Sequence, residues 1–226
     1  MSAKFLSRNI FKRIGIAILV VTLLFCGVYT GLLSSMESTP IEGGFYFLVS
    51  QDTRVEAGAE FTKLEGGAGY VLEEEGVHYV AINVFLNRES AQSVQKRLEA
   101  VGKRTIVIYK GTESLYFKGM EKKKRKVYLS ALKLLKSYIT LLDNCVIGLE
   151  SGMTQEACKR ILKILEKQFS YTQNVYKNYP SFKKICTTSA MELHRIFDDT
   201  VYAKDLRYLL CYQADAFSKL CSAFSI

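Results

Sequence analysis

Residues 45–74 read FYFLVSQDTRVEAGAEFTKLEGGAGYVLEE, and residues 79–108 read YVAINVFLNRESAQSVQKRLEAVGKRTIVI. The second stretch repeats the first at an offset of 34 residues. Four positions set this register, since Arg54, Ala57, Leu64 and Glu65 recur as Arg88, Ala91, Leu98 and Glu99. Each copy contains an apolar run, a segment with helical spacing and a second apolar run, which predicts strand, helix, strand. The pair therefore predicts the order βαββαβ over residues 45–110.

Alternation along the longer strands sorts their side chains onto two faces of the predicted sheet. The face that the two helices should cover carries Tyr46, Leu48, Ser50, Val80, Ile82 and Val84. The other face is expected to be bare and carries Phe45, Phe47, Tyr79, Ala81 and Asn83. Exposed aromatic side chains on a sheet favour a ligand-binding surface.

The C-terminal half, residues 111–226, has helical periodicity. Apolar residues recur at spacings of three and four, and the first such series is Leu132, Leu135, Ile139, Leu142 and Val146. Further helices are predicted from Thr154, from Ser181 and beyond Thr200, with Pro180 ending the second. These segments predict a bundle of three or four helices joined by short loops.

The N-terminal region predicts a membrane anchor. Ile14–Leu33 is a run of 20 residues without a charge, and a helix of that length spans roughly 30 Å of hydrocarbon. Residues 1–13 are basic, which places them in the cytoplasm and everything after about Met36 outside it, including most of the linker at 34–44. The alternative is a cleaved signal peptide, which the long apolar core and the lack of a small-x-small site disfavour.

The charge distribution disfavours nucleic-acid binding, and the cysteines indicate a buried core rather than disulfide bonds. The net charge of +9 is uneven, because residues 45–111 carry −1 and residues 112–226 carry +8. The −1 charge and the predicted export disfavour an RNA-binding βαββαβ domain, so no nucleic acid is expected as a partner. Five cysteines follow the predicted anchor and are expected to be buried rather than paired: Cys145, Cys158, Cys186, Cys211 and Cys221.

The chain lacks the residue patterns typical of catalysis. His78 and His194 stand outside any spacing typical of zinc ligands, and no nucleophile elbow or phosphate-binding glycine pattern is present. We therefore expect no enzyme, metal or cofactor. The basic run Lys122, Lys123, Lys124, Arg125 and Lys126 favours contact with an anionic polymer, and the alternative is a solvated first turn of a helix.

The segment 78–85, the element Arg88-Glu89-Ser90-Ala91, Leu98 and the predicted anchor together resemble a SPOR (sporulation-related repeat) domain, over about 65 of the 226 residues. The resemblance implies a ferredoxin-like βαββαβ fold that binds peptidoglycan glycan strands stripped of stem peptides, at the septum in cell division or sporulation. It also implies that the ligand lies on the helix-free sheet face. Tyr79 and Ala81 stand where the family has arginines, and Phe47 stands where it has a glutamine, so aromatic stacking on sugar rings is the expected contact.

The sequence thus predicts an α+β chain with an N-terminal transmembrane helix, a SPOR-like domain at 45–110 and a three- or four-helix bundle at 111–226. The predicted function is non-catalytic binding of peptidoglycan at the membrane, with the bundle as a possible site for a protein partner. The alternative is a membrane-anchored structural or protein-interaction module that has lost glycan binding.

Overall fold

The computed structural model describes residues 43–51, 55–112, 115, 117, 120–197 and 200–223. Four strands form one antiparallel sheet in the order β2-β3-β1-β4. The strands are β1 (Gly43–Ser50), β2 (Tyr70–Glu74), β3 (Val77–Phe85) and β4 (Thr105–Thr112). The described helices are α1 (Val55–Leu64), α2 (Arg88–Ala100), α3 (Lys122–Glu150), α4 (Gln155–Val175), α5 (Pro180–Phe197) and α6 (Ala203–Ser222).

Local sequence signals fix the boundaries of several elements. The side chain of Asn87 accepts a hydrogen bond from the Ser90 amide at 2.8 Å and caps α2. Thr154 caps α4 in the same way through the Ala157 amide. The two-residue turn between β2 and β3 places both Glu75 and Gly76 at positive φ, as a tight hairpin with the native strand twist requires.

The sheet has a helical layer on each face. Helices α1 and α2 pack on one face, and α6 crosses the other, where it contacts all four strands. Phe45 of β1 meets Phe217 of α6 edge to face, with ring centroids 5.4 Å apart. The molecule is therefore layered as helices, sheet and helices, with α6 in direct contact with the sheet.

Helix α6 also belongs to the helical bundle. It packs along α3 in the antiparallel sense, because Tyr128 near the start of α3 reaches Leu220, and Glu150 at the end of α3 pairs with Arg207. Helices α4 and α5 pack against each other and close the bundle. As a result α6 is buried on most of its circumference, and Ile41–Ile226 forms one compact unit that contains both predicted domains.

The predicted fold class is wrong as it was stated. It included a transmembrane helix, and none of the helices in the described part of the chain is long and apolar enough to cross a bilayer. The segment predicted to do so, Ile14–Leu33, lies outside the described residues. What the structure shows is an α+β arrangement of six described helices and a four-stranded antiparallel sheet.

Candidate functional site

The sheet face predicted to hold glycan is covered by α6. Phe45, Phe47 and Ala81 are all 0 % exposed, and Tyr79 is half-buried. The prediction of a bare face is therefore corrected. Helix α6 of the same chain covers the apolar side chains that alternation assigned to this face. Their burial against α6 is favourable because it removes large aromatic surfaces from water.

Asn83, the fifth predicted contact, lies on the opposite face of the sheet. Strand β3 has a β-bulge at Ile82. The neighbouring residues Leu48 and Val49 of β1 pair with Asn83 and Ala81, so Ile82 is an extra residue without a partner in β1. Ala81 shares its face with its partner Tyr70, which contacts α6, whereas Asn83 follows Leu48 to the side of α1 and α2. The amide oxygen of Asn83 is buried there without a hydrogen-bond partner in the described part of the chain.

A buried ionic cluster joins α6 to both edges of the sheet. The carboxylate of Asp215, a residue that is 1 % exposed, accepts hydrogen bonds from Tyr70 of β2 at 2.8 Å and Lys110 of β4 at 3.2 Å. Lys219 lies 2.8 Å from the same carboxylate. Lys110 also reaches the Glu74 carboxylate at 2.7 Å, so the sheet is curled enough to bring a residue of β4 to the end of β2.

This cluster shifts the ionisation of its members. Burial first, and then the negative charge of Asp215, raise the pKa of Tyr70 well above its usual range. Burial by itself would lower the pKa of Lys110, but its hydrogen bond to Glu74 and the charge of Asp215 outweigh burial and raise that pKa. Tyr70 is therefore neutral and Lys110 charged at neutral pH, as a hydrogen-bonded core cluster requires.

The groups that could act as metal ligands lie apart. Within the described ranges no three of the His, Cys, Asp and Glu side chains form a group that could hold a metal ion. His78 is exposed on β3, and His194 is exposed on α5, 3.2 Å from Glu166. These two histidines are on separate surface elements and do not meet.

The basic run of the sequence forms the start of α3. Lys122, Lys123 and Lys124 are exposed, while Arg125 lies over the ring of Phe117 at 5.5 Å. The first turn of α3 contains no acidic residue, and Glu121 at the N-cap makes no side-chain capping bond. Clustered cations oppose the positive end of the helix dipole, so this start of α3 costs stability rather than adding to it.

Two other segments bring further cations to the same end of the bundle. The ring of Tyr128 in α3 packs 4.9 Å from Phe182, at the start of α5, and its hydroxyl donates to Leu220 near the end of α6. The connection from α4 to α5 and the C-terminus of α6 therefore flank the first turns of α3. We call this surface the basic end; its cations are Lys122, Lys123, Lys124, Arg125, Lys126, Lys177, Lys183, Lys184 and Lys219.

The basic end is one-sided in charge. Residues 121–126, 177–184 and 219–223 contain nine basic residues and one acidic residue, Glu121. Sequence reasoning found the five contiguous cations but missed the other four, because they are dispersed over two segments that only the packing of Tyr128 brings together. Like charges at this density raise the local potential by several kT and attract anions.

Comparison with models of known families, with curated proteins and with solved structures finds no match to this chain. The resemblance to SPOR domains therefore stays a prediction.

The cysteine prediction is confirmed for the five cysteines described, which are all buried with free thiols. Burial raises the pKa of Cys186 to about 12, and likewise that of Cys221. A hydrogen bond between Cys145 and Cys158 raises the pKa of the first and lowers that of the second, but Cys158 is 0 % exposed.

We expect none of these five thiols to react with Ellman's reagent in the native fragment 41–226 at pH 8, because the reagent needs an exposed thiolate. All five should react once guanidinium unfolds the fragment. Rapid reaction of even one thiol in the native fragment would contradict the packing described for the bundle.

Proposed function

We propose that this chain is a non-catalytic interaction protein, in which the sheet and the helices form a rigid support for the basic end, and that this end binds an anionic partner. The position of α6 carries the proposal. It fills the sheet face on which a glycan was expected, whereas seven of the nine cations of the basic end are exposed.

The energetics of α3 support a binding role for the basic end. A helix start is stabilised by acidic residues and by a capping side chain, and α3 has neither in its first turn. A chain selected for stability alone gains nothing from Lys122, Lys123 and Lys124 at this position. An anionic partner would offset the repulsion among them and release counterions on binding.

Binding of peptidoglycan glycan strands at the sheet is the second candidate function. It requires α6 to leave the sheet, because α6 occupies the face that carries Phe45 and Phe47. The ionic cluster at Asp215 favours this candidate, since its charged groups regain hydration when α6 separates from the sheet.

The fragment 41–226 should separate the two candidates, because it forms one compact unit that carries both surfaces. We expect it to bind immobilised polyphosphate with an affinity that falls as salt rises, and to stay in solution when denuded peptidoglycan is sedimented. Saturable co-sedimentation with denuded strands that Tyr79→Ala abolishes would favour the glycan candidate. Failure to bind any anionic material at low salt would refute the proposal.

A further inference from the structure

The basic end is also the end at which the chain enters the described fold. Gly43, the first described residue, pairs with Thr112 at the end of β4. Two residues before Thr112, the backbone of Lys110 accepts a hydrogen bond from Ser218, in the last turns of α6. The start of β1 therefore lies beside the C-terminus of α6, which in turn flanks the first turns of α3.

The chain that precedes Gly43 has a composition suited to lipid. It contains the 20 uncharged residues Ile14–Leu33, with Lys12 and Arg13 directly before them. The chain continues from this segment through residues 34–42 to Gly43, the start of β1. An apolar segment in the chain and a surface of nine cations beside the start of β1 both fit one kind of partner, a bilayer with anionic headgroups.

Two exposed apolar side chains in the last two turns of α4, shortly before Lys177 of the basic end, distinguish a bilayer from a soluble polymer. Tyr171 is 66 % exposed and Val175 is 52 % exposed, and both lie in the last two turns of α4. Lys167 and Lys177 are exposed on either side of them. A tyrosine among lysines suits the headgroup layer, where its ring meets the acyl boundary and its hydroxyl remains hydrated.

We propose that the basic end lies against anionic phospholipid headgroups, with Tyr171 and Val175 at the edge of the acyl region. This inference rests on the proposed function and names its partner as a lipid surface. The attraction of each lysine to such a surface fades within a Debye length of about 8 Å at physiological ionic strength. Only the cations of the basic end that face the bilayer closely would therefore contribute.

The experiment is flotation of the fragment 41–226 with vesicles at 0.15 M salt, in which the N-terminal segment is absent and cannot itself hold the protein on the membrane. We expect binding to vesicles that contain about one third phosphatidylglycerol and none to vesicles of phosphatidylcholine alone. The double variant Lys122→Glu, Lys123→Glu should weaken binding at least about tenfold, because two attractive charges become repulsive.

The matched control is the double variant Lys96→Glu, Arg97→Glu, which makes the same change in net charge. Both residues are exposed near the end of α2, where Gln95 bonds to the Thr105 carbonyl, at the opposite end of the sheet from Gly43. This control should bind almost as well as the parent fragment. Equal loss in both variants would mean that net charge alone, and not the basic end, determines binding.

Tyr171→Ser tests for contact with the acyl boundary. We expect it to weaken flotation with anionic vesicles while leaving the affinity for soluble polyphosphate unchanged, since polyphosphate offers no apolar layer. If the parent fragment binds polyphosphate but not phosphatidylglycerol vesicles, the lipid inference fails while the proposed function stands. If it binds neither, both fail.

Discussion

Replacing Phe217 by alanine should lower the free energy of unfolding of the fragment 41–226 by about 3–5 kcal/mol, the usual cost of truncating a buried phenylalanine. Phe217 is 0 % exposed and packs edge to face on Phe45, so the substitution leaves a cavity between α6 and the sheet. Urea denaturation followed by circular dichroism measures the change. Because α6 packs against both the sheet and α3, we also expect the parent fragment to unfold in one transition.

Phe61→Ala is the matched control for Phe217→Ala. Phe61 belongs to α1 and is 55 % exposed, so its truncation removes little buried surface and should change the free energy of unfolding by less than about 1 kcal/mol. Equal effects of the two substitutions would contradict the packing of α6 on the sheet. A parent fragment that unfolds in two steps would show that the sheet does not depend on α6.

The strands and helices of the repeat could be predicted from the sequence because each contains its own local pattern of residues. The strand Val77–Phe85 and the helix that Asn87 caps follow directly from alternation, a capping residue and a terminating glycine. Gly102 has φ of 81°, as expected of a residue that ends a helix. These are local preferences of the chain, and they are retained in the folded protein because they agree with its tertiary packing.

The same reasoning could not predict which element covers the sheet face of Phe45 and Phe47. Alternation shows that Phe45 and Phe47 share a face, but it does not show what covers that face, since the covering helix lies more than 150 residues away. One signal was available. In α6, apolar residues surround most of the helix, a pattern typical of a helix buried on two sides.

The β-bulge in β3 had no signal in the sequence. Strict alternation from Val77 to Phe85 predicts that Ala81 and Asn83 share a face, whereas the extra residue Ile82 places them on opposite faces. A bulge of this kind is set by the register of the partner strand β1. Sequence reasoning therefore misplaced one residue of the predicted site through a long-range effect.

Replacing Asp215 by alanine should destabilise the fragment 41–226 by about 3 kcal/mol, because removing one partner of a buried ion pair leaves the other without compensation. Tyr70 would lose its acceptor, and Lys110, which is 11 % exposed, would keep only its contacts with β2. We expect a loss of stability at the lower end of the range usual for broken buried ion pairs, because Glu74 still pairs with Lys110. Urea denaturation at pH 7 provides the measurement.

Lys219→Ala is the control for Asp215→Ala, because it removes another contact of the same carboxylate. The Lys219 side chain is 58 % exposed, so its pair with Asp215 is screened by solvent and should contribute no more than about 1 kcal/mol. An effect of Lys219→Ala as large as that of Asp215→Ala would show that the carboxylate acts through the surface pair and not through the buried contacts.

The pH dependence distinguishes the buried cluster from simple loss of packing. The pKa of Lys110 is raised above its ordinary 10.5, so the stability that its charge contributes is present below that pH and is lost as the pH rises through the folded pKa. The pKa of Tyr70 is also raised, first by burial and then by the negative charge of Asp215, and this penalises the folded state above about pH 10. Asp215 contributes to both shifts, while the burial of Tyr70 and the hydrogen bond of Lys110 to Glu74 persist without it. The difference in free energy of unfolding between the parent fragment and Asp215→Ala should therefore shrink above pH 10, whereas a purely steric effect would stay constant with pH.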